Sequence, residues 1–172
     1  MAHKDFRFEL KSLTTEGTFE GLAAVYGNID LGGDVIEPGA FAKTLTDRGG
    51  EIPILWQHDP REPIGLGKLN DTSQGLSVQG QLVLESPVAA KAHALMKARV
   101  LRGLSIGYDD IKSKIVDGIR HLSEIKLFEC SLVSFPMNEL AQVSAVKGVV
   151  DFAKELQDFR AILAECRKGF GS

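Results

Sequence analysis

Along residues 75–84, GLSVQGQLVL, apolar and polar side chains alternate, so that Leu76, Val78, Leu82 and Leu84 share one face of an extended strand. TFEGLAAVY (18–26) has the same β-rich character, and Ile54-Leu55-Trp56 reads as a buried strand ending near His58, with an Asp59-Pro60 turn after it. Between the first two strands, GNIDLGGD (27–34) supplies the Gly, Asn and Asp of a loop. In residues 108–129, Asp117-Gly118 separates two strand-like runs and predicts a two-residue hairpin turn. Lys112 and Lys114 suit an exposed or edge face of the first run.

The period changes in three places. Residues 39–50 predict a short helix closed by Gly49. Ser86 as N-cap and Pro87 at the first helical position open a second helix, because proline's missing N–H is unpaired there anyway. Val88, Ala92, Leu95, Met96 and Val100 continue it at helical spacing, with Arg99 and Arg102 near its end and Gly103 closing it. In the tail, Phe152, Leu156, Phe159, Leu163 and Cys166 form a narrow apolar stripe over about 149–168, suited to packing on the domain or to a dimer seam. Together these elements predict a mostly β, α+β fold: a closed sheet with peripheral helices in one domain, 1–148, followed by an amphipathic helical tail, 149–172.

Composition narrows the function classes. The chain of 172 residues has a net charge of −3, which disfavours the basic surface that a nucleic acid or an anionic membrane requires. No apolar run reaches the length of about 18 residues that a membrane span needs. Residues 1–11, MAHKDFRFELK, lack the apolar stretch of a signal peptide, so a reducing cytosol is the expected compartment. Cys130 and Cys166 are too few and too scattered for a disulfide framework or a thiolate metal site.

Ser105 lies in GLSIGY (103–108), where alternation puts it beside Gly107 on a small, uncrowded face. A serine nucleophile needs a base, and the base needs a third group that holds its tautomer. His58 is the candidate base, flanked downstream by Gly65 and Gly67, two further points of close backbone approach. His121 and Glu129 are the candidates for the third group. On one strand they stand about 26 Å apart, at about 3.3 Å per residue, so only one of them can serve His58. Glu129 lies in an apolar segment where an unpaired carboxylate is costly, which favours it. Cys130 alternates to the opposite face with Phe128 and Leu132 and reads as core. A metal centre on His58, Asp59, His121 and Glu129 has no supporting spacing, and the 27–34 loop reads as a turn rather than an anion or calcium site. His3 and His93 read as solvated or helix-surface residues.

Four blocks occur in order: AAVYGNIDLGGDVIEPGAFAKTL (23–45), PILWQHDPREPIGLGKL (53–69), GLSIGYD (103–109) and FECSLVSFPMNELA (128–141). Together they resemble the tailed-phage prohead protease family of the HK97 type, over about residues 5–147. That family is similar in fold to the herpesvirus assemblins, so the resemblance implies a closed β-barrel with surrounding helices. It implies a serine endopeptidase with Ser105 as nucleophile, His58 as base and Glu129 as third member. The assemblins use a histidine in that third place, which keeps His121 as the minority choice. Backbone N–H groups of the loop FPMN (135–138) would serve the oxyanion; Pro136 has none, so the donors fall on Met137 or Asn138.

The resemblance further implies action in the host bacterial cytoplasm, inside the assembling procapsid, on the scaffolding segment of the major capsid protein and on the protease itself. No cofactor is expected, the charge and apolar-run readings above exclude nucleic acid and membrane as partners, and the tail stripe allows a homo-oligomer. The alternative is a catalytically inactive, β-barrel assembly factor that only binds capsid protein.

Overall fold

The computed structural model describes residues 16–146. The tail helix, its apolar stripe and the dimer seam expected there lie outside the described residues, as does His3. Eight strands and two helices follow in the described chain: β1 Thr18–Val25, β2 Asp34–Ile36, α1 Ala42–Arg48, β3 Glu51–Trp56, β4 Asp59–Asp71, β5 Gly75–Leu82, α2 Pro87–Lys97, β6 Gly103–Val116, β7 Ile119–Val133 and β8 Val143–Val146.

One sheet holds all eight strands, in the order β2-β7-β3-β4-β5-β1-β8 with β6 paired to β7. The long β7 organises it. β6 runs antiparallel along its whole length, from Val116↔Ile119 to Gly103↔Val133. The other edge of β7 is shared: β2 pairs parallel with its start at Arg120–Leu122, and β3 pairs parallel with its end at Cys130–Leu132. The mostly β expectation therefore stands. The sheet is curled, and among the described residues its two ends meet at the isolated bridge Gly103↔Gln142, where Leu104 N–H donates to Ala141 O at 2.9 Å and Val143 N–H to Arg102 O at 2.8 Å. The ladders describe an open half-barrel joined at a point rather than the fully closed barrel expected.

Alternation in β5 follows the pattern predicted for it, with Leu76, Val78 and Leu82 buried and Gln79 exposed. These side chains meet Phe19, Ile52, Ile54, Ile64, Leu104, Leu122, Leu127 and Leu132 in a single apolar core inside the curl. Burial on that scale is the main force holding the strands in register, since a one-residue slip would turn each apolar set outward. β6 leaves the core at its far end: residues 109–116 are exposed, including Lys112 and Lys114 as expected. Asp117 and Gly118 both adopt positive φ at the hairpin tip, the conformation that the Asp-Gly pair predicts.

Gly49 closes α1 in the left-handed conformation, as expected. α2 begins at Pro87 behind Ser86, but it stops at Lys97, well short of Gly103. Arg99 takes the left-handed position that usually falls to glycine, its N–H bonding Met96 O at 2.9 Å while Val100 N–H bonds Leu95 O at 2.9 Å. These paired bonds cap the helix, leaving Val100 exposed and Gly103 free to start β6. His93 is not on the helix surface as expected; it is buried on the inner side of α2 with Ala89, Ala92 and Met96.

A candidate active site

His58 does not follow a strand into an Asp-Pro turn. Asp59 and Pro60 already belong to β4, and the turn is Gln57-His58 itself, closing the pair Trp56↔Asp59. Both residues have positive φ, 53° and 61°, in a two-residue turn where glycine or asparagine is the usual occupant. Such backbone costs of order 1–3 kcal/mol per residue and persists only where neighbours hold it. Here β7 holds it. Gln57 N–H donates to Leu132 O at 3.0 Å and His58 N–H to Ser131 Oγ at 3.1 Å. The Gln57 amide is clamped as well, donating to Ser134 Oγ at 3.0 Å while its oxygen accepts Ser134 N–H at 3.2 Å.

Held this way, the imidazole meets Glu129, with Nδ1 2.6 Å from Oε1. Glu129 is 8% exposed, whereas the His58 side chain is 43% exposed. The second carboxylate oxygen accepts the Ser131 hydroxyl at 2.6 Å, so both oxygens of the buried acid are satisfied. Nε2 of His58 has no partner among the described residues.

Ser105 reaches the same place through strand register. β6 and β7 pair Ser105↔Ser131 and Gly107↔Glu129, so the two small residues of β6 lie beside the hydroxyl and the carboxylate of β7. Side chains directly opposite in an antiparallel pair stand about 4.5–5.5 Å apart at Cβ, which puts Ser105 next to the His58–Glu129 contact. Its hydroxyl has no hydrogen-bond partner among the described residues. Ser105 and His58 both line one cavity of about 510 Å³, which also touches Met137 and Asn138. His58, Glu129 and Ser105 are thus brought together.

His121 is not among them. It sits at the other end of β7, paired with Val35 of β2, and its Nδ1 lies 2.6 Å from Glu37 Oε1. The two expected oxyanion donors border the cavity, and neither the Met137 nor the Asn138 N–H is used by another described residue. That loop is anchored by the 27–34 segment: Leu31 N–H donates to Met137 O at 3.0 Å, and the Asn28 and Asn138 amides exchange hydrogen bonds at 3.2 and 3.1 Å. The 27–34 segment is a turn built on Asp30, whose Oδ1 accepts the N–H groups of Gly32 and Asp34 at 2.9 Å.

The far wall of the cavity carries charged side chains, two of which pair with each other. Arg120 grips the Asp34 carboxylate through both Nε, at 2.7 Å, and Nη2. The bonds to Asp34 hold the guanidinium charge even more firmly than usual. Burial, followed by the negative charges of Asp34 and Asp30, pushes the Tyr108 hydroxyl up to about 12, so it stays a neutral donor to Asp34. Burial likewise pushes the Cys130 thiol well up, and it is fully enclosed, as the core reading expects. Phe128, expected beside it in the core, is 38% exposed.

Sequence reasoning passes over Ser131, Gln57 and Ser134. For Ser131 a signal existed: it lies two residues from Glu129, on the same strand face. Gln57 and Ser134 carry none, because a strained turn without glycine has no compositional mark. Gly107 is legible in hindsight of the pairing. A Cβ there would stand 3.0 Å from Glu129 Cδ and Cγ and closer still to Oε1. Gly107→Ala is therefore expected to fold, to displace the carboxylate from His58 and to lower kcat about 10²-fold, the scale of a misplacement of about 1 Å. Paired kinetics and thermal melts check it.

A family model described as Caudovirus prohead serine protease matches residues 6–155. The prohead protease of Enterobacteria phage HK97 is 35% identical over 139 residues, covering 78% of this chain and 62% of that protein. The chain thus spans under two thirds of that relative. A capsid polyprotein of Pseudomonas phage PAJU2 is 36% identical over 126 residues, covering 67% of this chain and 18% of that protein. A major capsid protein of Lactococcus phage c2 is 29% identical over 129 residues, covering 74% and 24%. Among solved structures, KSHV protease in complex with a hexapeptide phosphonate inhibitor aligns with a TM-score of 0.50 at 16% identity, over 73% of this chain and 63% of that one. At that identity the likeness is one of fold.

Proposed function

The chain belongs to the Caudovirus prohead serine protease family, and from that premise we propose that it is a capsid-maturation endopeptidase with Ser105 as nucleophile, His58 as base and Glu129 as the group orienting that base. The observation carrying this is the 2.6 Å contact between His58 Nδ1 and Glu129 Oε1 beside a cavity into which Ser105 opens.

The chemistry runs as acyl transfer. Nε2 of His58 takes the Ser105 proton as Oγ attacks the scissile carbonyl carbon. Glu129 supports the imidazolium that results, and the N–H groups of Met137 and Asn138 stabilise the tetrahedral oxyanion. The C–N bond then breaks as the imidazolium protonates the leaving amine, and Ser105 is left as an acyl ester. Water, deprotonated by His58, attacks the ester; collapse of the second oxyanion frees the acid and returns the proton to Ser105. Met137, Phe135 and Leu31 leave large apolar surface at the cavity rim, which suits a peptide bound across it.

The substrates in this reading are the scaffolding segment of the major capsid protein and the protease's own chain, cut inside the procapsid in the host cytoplasm. Two relatives named as capsid proteins support the association with capsid. An inactive assembly factor would have no use for an unpartnered serine beside a His–carboxylate contact. The test is incubation with the major capsid protein of the same phage, with fragment termini and any fluorophosphonate adduct located by mass spectrometry. Discrete cleavage and an adduct on Ser105 are expected. An intact capsid protein, or an adduct on another residue, overturns the reading.

A further inference from the structure

Resting on that reading and deepening it, we infer that Ser131 is a positioning residue, one hydroxyl that holds both the Glu129 carboxylate and the His58 backbone. Ser131 is wholly buried on β7. It does not line the cavity that Ser105 and His58 share. It therefore meets no substrate and acts only through its neighbours. Its Oγ lies 2.6 Å from Glu129 Oε2 and 3.1 Å from the His58 nitrogen. An ionised carboxylate has no proton to give, so the hydroxyl donates to Glu129, and a lone pair remains to accept the His58 N–H.

Each bond does separate work. The donated one fixes the rotamer of the carboxylate so that Oε1 faces Nδ1. The accepted one satisfies the N–H of a residue at φ 61°, a conformation that needs outside support. A filler at this position would need no oxygen, as the apolar neighbours Cys130 and Leu132 show. One atom thereby couples the strained turn that carries the base to the acid that orients it.

The experiment compares wild type, Ser131→Ala, Ser131→Thr and Ser105→Ala as full chains. Three quantities are read: the rate of fluorophosphonate labelling of Ser105, the downfield proton resonance of His58 Nδ1–H, and the melting temperature. Ser131→Ala is expected to slow labelling about tenfold to a hundredfold, the scale of one lost charge-assisted hydrogen bond. The Nδ1–H resonance is expected to broaden or move upfield, and Ser131→Thr, which keeps the hydroxyl, to recover both. Should the alanine variant not fold, Ser131→Cys, of similar size and a weaker donor, gives the same two readouts. A folded Ser131→Ala or Ser131→Cys variant with wild-type labelling, or with slowed labelling but an unmoved resonance, overturns the inference and leaves the triad standing. Labelling that persists in Ser105→Ala overturns the triad and this inference with it.

Discussion

Ser105→Ala is expected to lower kcat by about 10⁵–10⁶ while leaving the fold unchanged, on the scale seen when a triad serine is removed from another serine protease. The loss is chemical, because alanine offers no oxygen to attack the carbonyl and His58 then has no proton to take. The fold should not notice. The Ser105 hydroxyl bonds no described residue, so removing it orphans no donor or acceptor. Its small face opposite Ser131 needs no bulk. A melting temperature within about 2–4 °C of wild type corresponds to a change under about 1 kcal/mol in a chain of this size. Cleavage of capsid protein at the wild-type rate by a folded alanine variant would refute the serine mechanism.

The second large effect separates the two candidates for the third member. Glu129→Gln keeps the size of the side chain but removes the charge opposite Nδ1, and its amide can present an N–H where His58 needs an acceptor. A fall of about 10²–10⁴ in kcat is expected, since the comparable change in an aspartate triad costs about 10⁴. His121→Ala should leave kcat unchanged. Its ring is committed to Glu37, near the far end of β7, and a partly exposed pair of that kind is worth at most about 1 kcal/mol of stability. Both variants are assayed beside thermal melts, so that loss of fold is not taken for loss of chemistry. A fully active Glu129→Gln beside a folded, inactive His121→Ala would reverse the assignment and leave Ser105 and His58 in place.

Much of this was legible because burial writes itself into local patterns. The alternation of β5, the Asp117-Gly118 hairpin and the Gly49 helix end all follow from rules that act over a few residues. The end of α2 was misplaced for a local reason too. Val100 falls on the helical period, but Arg99 accepts a left-handed conformation that composition assigns to glycine, and the chain turns before Val100 reaches the core.

The site divides along the same line. By itself, the sequence determined that Ser105 stands on a small face beside Gly107 and that Glu129, set in an apolar segment, must find a partner. Both conclusions need only the two-residue period of a strand and the cost of burying an unpaired charge. It did not determine where His58 points. Asp59-Pro60 carries the stronger local turn signal, yet the chain turns two residues earlier, at Gln57-His58, against the conformational preference of both. Only tertiary structure could decide that, because the bonds that hold the turn come from Ser131, Leu132 and Ser134, more than 70 residues away along the chain. The parallel pairing of β3 with the end of β7, and the antiparallel pairing of β6 along its other edge, bring the base, the acid and the serine onto one short stretch of β7. Strand register is a property of the whole buried face rather than of any segment, and that register is what placed His58 on Glu129 and left His121 to Glu37.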